Sequence, residues 1–217
     1  MATSFEHTED RHMHSALLVV DIQNDFCPGG ALAVPGGDRV VPVANILLEK
    51  IPLSVLTQDW HPLGHTSFAS SSGKPPYTID DGVTPPRVLW PDHCIAGTWG
   101  ADFHPGLNTN RSRLILRKGA NPHLDSYSAF FENDARTTTG LAAWLSAFGI
   151  DSIVIAGLAT DYCVKASALD ARRLGLKVDI VFEGIRGVDA SAGDVEKAVE
   201  AMKQAGCRIV ALKEILG

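Results

Sequence analysis

The chain of 217 residues has little of what marks membrane-spanning or nucleic-acid-binding proteins. None of its apolar runs approaches the roughly 18 residues that a membrane-spanning helix needs. Lys and Arg number 19 against 25 Asp and Glu, which gives a net charge of −6, and the basic residues form no stripe. The sequence therefore argues against a membrane protein, and against nucleic acid or an anionic membrane surface as the main partner.

Cysteine is scarce as well. The four cysteines stand at positions 27, 94, 163 and 207, and no two of them form a CxxC pair. We therefore expect no disulfide framework and a reducing compartment. The first 14 residues are polar and lack the apolar region of a secretory signal. We expect residues 1–14 to be a disordered tail, residues 15–217 to form a single domain, and the protein to be cytoplasmic.

Short apolar, β-branched runs alternate with amphipathic segments along the chain. Continuous apolarity is typical of parallel strands that are buried on both faces. The predicted strands are 16–20, 53–56, 114–116, 153–155, 178–182 and 208–212. The predicted helices are 39–50, 140–148, 164–174 and 191–205. This alternation predicts an α/β fold with a doubly wound sheet.

Reactive side chains follow four of the predicted strands. In open α/β sheets the ligand binds beyond the carboxyl ends of the strands. Asp21 ends the first strand, the second leads into Asp59, the third ends at Lys118, and the fourth leads to Cys163. We expect these four side chains at one rim of the sheet. Two long insertions, 59–111 and 119–135, interrupt the alternation, and such segments usually carry function.

Cys163 lies where an apolar strand, 150–157, turns into a helix. Thr160 or Asp161 can cap that helix, which places Cys163 in its first turn, near the positive end of the helix dipole. A thiolate is favoured there, and the unpaired backbone amides can hold a developing oxyanion. The alternative is that Cys163 is a buried small hydrophobic residue, as most cysteines are.

Asp21 and Lys118 are the candidate partners of that thiol. A carboxylate at the end of a buried strand is partly desolvated, which raises its pKa towards that of a useful general base. Lys118 would supply a fixed positive charge that steadies both the carboxylate and a thiolate. Each of the two, taken alone, is more often a solvated charge at a strand end, so the prediction depends on their combination.

A second constellation combines one carboxylate with two imidazoles. Asp59 and His61 point the same way in an extended segment, and His93 on a separate loop can complete the set. Such a set leaves coordination positions open and suits Zn, Fe or Mn. His65 is either a fourth ligand or a partner behind the ligands. The alternative for each histidine is an ordinary surface residue.

Aromatic residues occur in the same polar segments. Either they fill the core, or they form the walls of a pocket for a flat ring. The candidates are Phe26, Trp60, Trp90, Trp99 and Tyr127.

Five segments resemble those of the nicotinamidase/pyrazinamidase family, within the isochorismatase-like cysteine hydrolases. They are VVDIQNDF, TQDWHPLGHTSF, WPDHCIAGTWGADFHP, RKGANPH and GLATDYCVKASALDA, and the resemblance runs from about Ala16 to the C-terminus. The resemblance implies a three-layer, Rossmann-like sandwich with a six-stranded, mainly parallel sheet. It also implies a catalytic triad of Asp21, Lys118 and Cys163.

The same resemblance implies one divalent metal ion, Zn with Fe or Mn as alternatives, held by Asp59, His61 and His93, with His65 open as a further ligand. It implies an oxyanion hole of the Ala159 and Cys163 backbone N–H groups and a cis peptide bond between Leu158 and Ala159. The implied ring-binding residues are Phe26, Leu32, Trp90, Tyr127, Leu158 and Tyr162. Among them, Tyr162 would tune the preference for one ring over another.

The activity implied by this resemblance is deamidation of nicotinamide to nicotinate and ammonia through a Cys163 thioester, with the pyridine nitrogen bound to the metal. Pyrazinamide is a second expected substrate, and the reaction belongs to NAD salvage. The expected partner is the small-molecule substrate, and a homo-oligomer is compatible with the family.

Three other interpretations remain open on the sequence. A related amidase would act on maleamate or a carbamoyl compound, although such relatives generally lack the metal set. A metallohydrolase would use metal-bound hydroxide and tolerate loss of the thiol. A binding module on a decayed hydrolase fold would lack a member of the triad, whereas Asp21, Lys118 and Cys163 are all present.

Overall fold

The computed structural model describes residues 14–83 and 86–217. The expected tail therefore lies outside the described residues, except for His14. The backbone carbonyl of His14 accepts the N–H of Asp151 at 3.1 Å, next to the first strand. Within the described ranges, no helix is long and apolar enough to cross a membrane.

Eight strands are present in the described part of the chain. They are β1 (Ser15–Val20), β2 (Ser54–Asp59), β3 (Ile79–Asp80), β4 (Arg87–Val88), β5 (Leu114–Lys118), β6 (Ser152–Leu158), β7 (Lys177–Arg186) and β8 (Arg208–Val210). Six of them form one sheet in the order β5-β2-β1-β6-β7-β8, with every pairing parallel. The remaining two, β3 and β4, form a short antiparallel hairpin inside the first insertion.

The helices pack on both faces of the large sheet. The α-helices are α1 (Val40–Lys50), α2 (Ala69–Ser72), α3 (Leu141–Ala147), α4 (Lys165–Arg173), α5 (Asp194–Gln204) and α6 (Leu212–Leu216). A π-helix spans Thr160–Val164, and 3-10 turns span Asn24–Phe26, Gly37–Arg39, Trp99–Ala101 and Thr109–Arg111.

Alternate residues of the central strands supply the two cores. Leu17 and Val19 of β1 pack with α1 and α6 on one face, whereas Leu18 packs with α3, α4 and α5 on the other. This two-sided burial explains why the strands read as continuous apolar runs. The predicted α/β fold with helices on both faces of a parallel sheet is confirmed, and each predicted strand and helix is present with shifted ends.

The backbone is unusual where β1 and β6 approach the rim. Gly157 pairs with Val20 and has φ +125°, and a Cβ at Gly157 would lie 2.0 Å from the Val20 carbonyl oxygen. Asp21, the next residue after β1, has φ +48°. Only glycine fits at position 157, and this close approach brings the turn after β6 beside Asp21.

This close approach predicts the cost of a side chain at position 157. Gly175→Ala is the matched control, because Gly175 also has a positive φ of +88° but none of the described residues places an atom within 4 Å of an added Cβ. Gly175→Ala should lose about 1–2 kcal/mol from the left-handed backbone alone. Gly157→Ala should lose about 1–3 kcal/mol more, because its methyl group meets the β1 backbone. Urea unfolding measures both, and equal losses in the two variants would contradict the account.

Candidate active site

The turn after β6 holds Cys163 in a π-helix rather than in a regular first turn. The Val164 N–H donates to the Ala159 carbonyl at 3.1 Å, and the peptide bond between Leu158 and Ala159 is cis. Cys163 is 6% exposed. Single π-turns of this kind frequently occur at functional sites.

The expected side-chain caps of this helix are wrong. In the described part of the chain, no side chain caps the π-helix, and Thr160 Oγ1 is buried without a partner. The Asp161 carboxylate instead accepts the backbone N–H groups of Val188 and Asp189, at 3.0 and 2.8 Å. Asp161 therefore fixes the turn to the loop after β7, a long-range contact that local sequence does not reveal.

Lys118 brings the three candidate catalytic residues together. Its Nζ lies 3.4 Å from Cys163 Sγ and 2.9 Å from Asp21 Oδ2, and it also contacts the Asp59 carboxylate. The ammonium further donates to the Ser126 carbonyl at 3.1 Å. A single buried cation thus lies between two carboxylates and beside the thiol.

The electrostatics of Asp21 and Lys118 follow from this pairing. Burial raises the pKa of Asp21 against the opposing effect of Lys118, as predicted for a strand-end carboxylate. Burial alone would lower the pKa of Lys118, but the charges of Asp21 and Asp59 raise it well above its ordinary value. Thr57 also donates its hydroxyl to Asp21 Oδ1 at 2.6 Å. Asp21 is therefore both held in place and made more basic.

The expectation of a favoured thiolate at Cys163 is wrong for the free protein. Burial raises the pKa of Cys163 well above its ordinary value. Lys118 opposes that shift, but the charges of Asp21 and Asp59, and a hydrogen bond from the thiol to Asp21, add to it. Burial thus outweighs the helix end and the nearby ammonium in setting the direction of this pKa shift, which favours the protonated thiol.

Asp59, His61 and His93 converge as a possible metal site. Their donor atoms all lie within 4.8 Å of one another. His61 Nδ1 bonds the Gly119 carbonyl at 2.9 Å and His93 Nδ1 bonds the Pro91 carbonyl at 2.7 Å. These contacts assign the proton to Nδ1 in each ring and leave both Nε2 lone pairs available.

Both imidazoles are in the form that binds a metal. Burial lowers the pKa of His61 to about 3 and that of His93 to about 4. Each ring is therefore neutral near pH 7, and a metal ligand must be neutral. One carboxylate and two neutral imidazoles with open positions fit a divalent transition-metal ion.

Two residues that the sequence analysis missed hold these ligands. The Gln23 side chain accepts the Asp59 N–H at 2.8 Å and donates to the Asp59 carbonyl at 2.8 Å. At Gly119, a Cβ would lie 2.5 Å from His61 Cε1, so only glycine lets the backbone approach the ring. The available signals in the sequence were that Gln23 lies two residues after Asp21 and that Gly119 directly follows Lys118.

His65 lies behind His61. Its Nδ1 accepts the Ser67 N–H at 3.2 Å, so the proton is assigned to Nε2, which bonds the Leu124 carbonyl at 3.3 Å. The His65 ring stacks on His61 with 4.2 Å between ring centroids. Both nitrogens are engaged in this arrangement, which favours the partner role over that of a fourth ligand.

The predicted ring-binding residues contact one another, and one of them contacts the candidate metal ligand His93. The Phe26 ring lies 5.6 Å from that of His93. The Trp90 ring lies 4.7 Å from that of Tyr162, and its Nε1–H donates to the Tyr127 hydroxyl at 3.1 Å. Leu32 and Leu158 are buried in the same core cluster as Phe26 and Trp90.

Of the two other aromatic candidates, Trp99 lies at the surface, whereas Trp60 packs against the same core cluster as Phe26 and Trp90. Trp99 is 62% exposed, and the guanidinium of Arg117 lies 3.7 Å above the Trp60 ring. Their polar surroundings in the sequence reflect a surface position and a cation–π contact.

Comparison with known proteins relates this geometry to a family. The isochorismatase domain model matches residues 15–214. The nicotinamidase of Escherichia coli is 47% identical over 205 residues, which cover 92% of this chain and 95% of the relative.

Two solved structures are also similar. That of a nicotinamidase/pyrazinamidase from Acinetobacter baumanii has a TM-score of 0.91 and 45% identity, covering 94% of this chain and 98% of the other. That of a pyrazinamidase from Pyrococcus horikoshii in complex with zinc has a TM-score of 0.75 and 38% identity. It covers 91% of this chain and 99% of the other. The chain therefore belongs to the isochorismatase family, within the group that contains these nicotinamidases.

Proposed function

We propose that the protein is a nicotinamidase, which hydrolyses nicotinamide to nicotinate and ammonia and accepts pyrazinamide as well. The observation that carries the proposal is the contact of Cys163, Lys118 and Asp21 beside the donor set of Asp59, His61 and His93. The names of the similar proteins support the same activity. The active chain would be one domain over residues 15–217.

Asp21 is the proposed general base and acid. It takes the thiol proton while Cys163 Sγ bonds to the amide carbon, and the carbonyl electron pair moves to oxygen. Asp21 then gives that proton to the amide nitrogen, the C–N bond breaks, and ammonia leaves a thioester. In the second half, Asp21 takes a proton from water as the water oxygen attacks the thioester, and that proton passes to the Cys163 sulfur as the C–S bond breaks. The product is released as nicotinic acid, which gives its remaining proton to solvent and becomes nicotinate.

The other groups hold charge and geometry during these steps. The backbone N–H groups of Ala159 and Cys163 are the proposed oxyanion hole. Lys118 stays protonated, because Asp21 and Asp59 raise its pKa, and offsets the charge that develops on sulfur. Because Asp21 takes the thiol proton and Lys118 offsets the charge on sulfur while the C–S bond forms, the protonated thiol can react without a free thiolate forming first.

A divalent ion at Asp59, His61 and His93 would supply a Lewis-acid contact for the ring nitrogen of the substrate. Zinc is the proposed ion, since the similar pyrazinamidase from Pyrococcus horikoshii is described in complex with zinc. Phe26, on the His93 side, and the cluster of Trp90, Tyr127 and Tyr162 would enclose the aromatic ring, with Leu32 and Leu158 in the core beneath. The buried donor set favours a heteroaromatic amide over maleamate, which has no ring nitrogen.

Replacing the nucleophile tests the chemical step. Cys163→Ala should lower ammonia release from nicotinamide by at least about a thousandfold, because no thioester can form. Metal content should be retained, since the sulfur lies outside the proposed ligand set. Cys207→Ala is the matched control, as Cys207 is another buried free cysteine, and it should keep its activity. Undiminished ammonia release by Cys163→Ala would refute both the nucleophile and the mechanism, and would favour a metallohydrolase.

Replacing a ligand tests the metal assignment. His93→Ala should weaken zinc affinity by more than about 100-fold. Removing a direct ligand should lower the affinity more than removing a residue that hydrogen-bonds to a ligand, which typically costs about 10–100-fold. KM for nicotinamide should rise more than kcat falls, since the ring is held less well. Exposed His123→Ala serves as the control and should match the wild type. Metal analysis and steady-state kinetics measure these effects, and unchanged metal content in His93→Ala would remove His93 from the site.

A further inference from the structure

Asp125 carries a buried carboxylate oxygen that the proposed reaction does not use. The residue is 6% exposed, and its Oδ1 accepts the Ser126 N–H at 2.9 Å. Its Oδ2 is buried and has no hydrogen-bond partner among the described residues. A buried polar atom without a partner is costly, so an interaction outside the chain is expected to compensate it.

The surrounding segment holds this carboxylate towards the imidazoles. The carbonyl before it, that of Leu124, accepts the His65 ring N–H at 3.3 Å. The carbonyl after it, that of Ser126, accepts the Lys118 ammonium at 3.1 Å. Between these two attachments, an Asp125 oxygen lies within 4.8 Å of donor nitrogens of both His61 and His65.

Asp125 lies near the proposed metal ligands but outside their set. Donor atoms of Asp59, His61 and His93 group within 4.8 Å of one another, and Asp125 does not join Asp59 and His93 in such a group. Ligands about 2.0–2.2 Å from one ion lie no more than about 4.4 Å apart. Asp125 is therefore grouped with His61 and His65 rather than with Asp59 and His93.

The formal charges point to the same role. Asp21, Asp59 and Asp125 contribute three buried carboxylates, and Lys118 is the ammonium that contacts two of them. The resulting formal charge of this cluster is −2, which one divalent cation balances. Buried charges are retained in proteins when they are paired or attend a metal ion.

We propose that Asp125 is an outer-shell anion of a divalent-cation site, which raises the affinity of Asp59, His61 and His93 for the ion without binding it directly. The inference rests on the proposed function, because it requires that cation site. A purely structural Asp125 would matter only through its bond to the Ser126 N–H, which an asparagine oxygen can also accept.

Asp125→Asn separates these two roles. Zinc affinity, measured against a chromophoric chelator, should fall about 10–100-fold, as is usual for partners behind metal ligands. The metal-free variant should unfold at the same or a higher urea concentration than the wild type, because it loses an uncompensated buried charge. A purely structural role would leave the zinc affinity of Asp125→Asn unchanged, because the asparagine oxygen keeps the bond to the Ser126 N–H. That result, or a metal-free variant that is less stable than the wild type, would overturn the inference.

Glu132→Gln is the matched control. Glu132 is a carboxylate of the same segment with an unpartnered oxygen, but it is absent from the groups of candidate ligands among the described residues. Its zinc affinity should stay within about threefold of the wild type. An equal loss of zinc affinity in both variants would mean that any negative charge in this segment has the same effect. That result would contradict the specific role of Asp125.

Cobalt(II) absorption tests direct coordination. The visible bands of cobalt-loaded Asp125→Asn should superimpose on those of the wild type, whereas His93→Ala should shift them. A shift in Asp125→Asn would make Asp125 a ligand and overturn the outer-shell assignment. If the wild type binds zinc and Asp125→Asn binds it equally well, only this inference fails. If the wild type binds neither ion, the proposed cation site itself is wrong.

Discussion

The ammonium of Lys118 is the group on which the site depends, because it lies between two carboxylates inside the protein. Neighbouring strands supply these residues in sheet order, with Lys118 on β5, Asp59 on β2, Asp21 after β1 and Cys163 after β6. Register sets Asp59 directly opposite Lys118. Buried charges persist only when they are paired and hydrogen-bonded, and the parallel sheet achieves that pairing at its rim.

This pairing links the two halves of the proposed chemistry. Lys118 contacts the thiol and the base on one side and a proposed metal ligand on the other. Burial raises the pKa of the thiol in spite of the nearby ammonium, and in the proposed reaction the adjacent Asp21 therefore takes the thiol proton during attack. Hydrogen bonds to the backbone hold the proposed metal ligands. The Gln23 side chain bonds the backbone of Asp59, and the Gly119 carbonyl fixes the tautomer of His61.

The fold and the meeting of reactive residues were predictable because both depend on simple rules. Continuous apolar strands imply a parallel sheet, and side chains that follow such strands meet at one rim. The caps, the thiolate and the outlying tryptophan at position 99 were not predictable, since each depends on burial or on a distant partner. Asp161 bonds residues more than 25 positions away, and Asp125 acquires its significance only from the imidazoles around it. Local periodicity carries no information of that kind.

The central claim is that a neutral thiol at Cys163, activated by the neighbouring carboxylate, carries the acyl group of the substrate. The most direct measurement is mass spectrometry of the enzyme quenched in acid during its first turnover of nicotinamide. The account predicts a nicotinoyl thioester on the peptide that contains Cys163. Rapid ammonia release with no acyl group on that peptide, or with the acyl group on another residue, would contradict it.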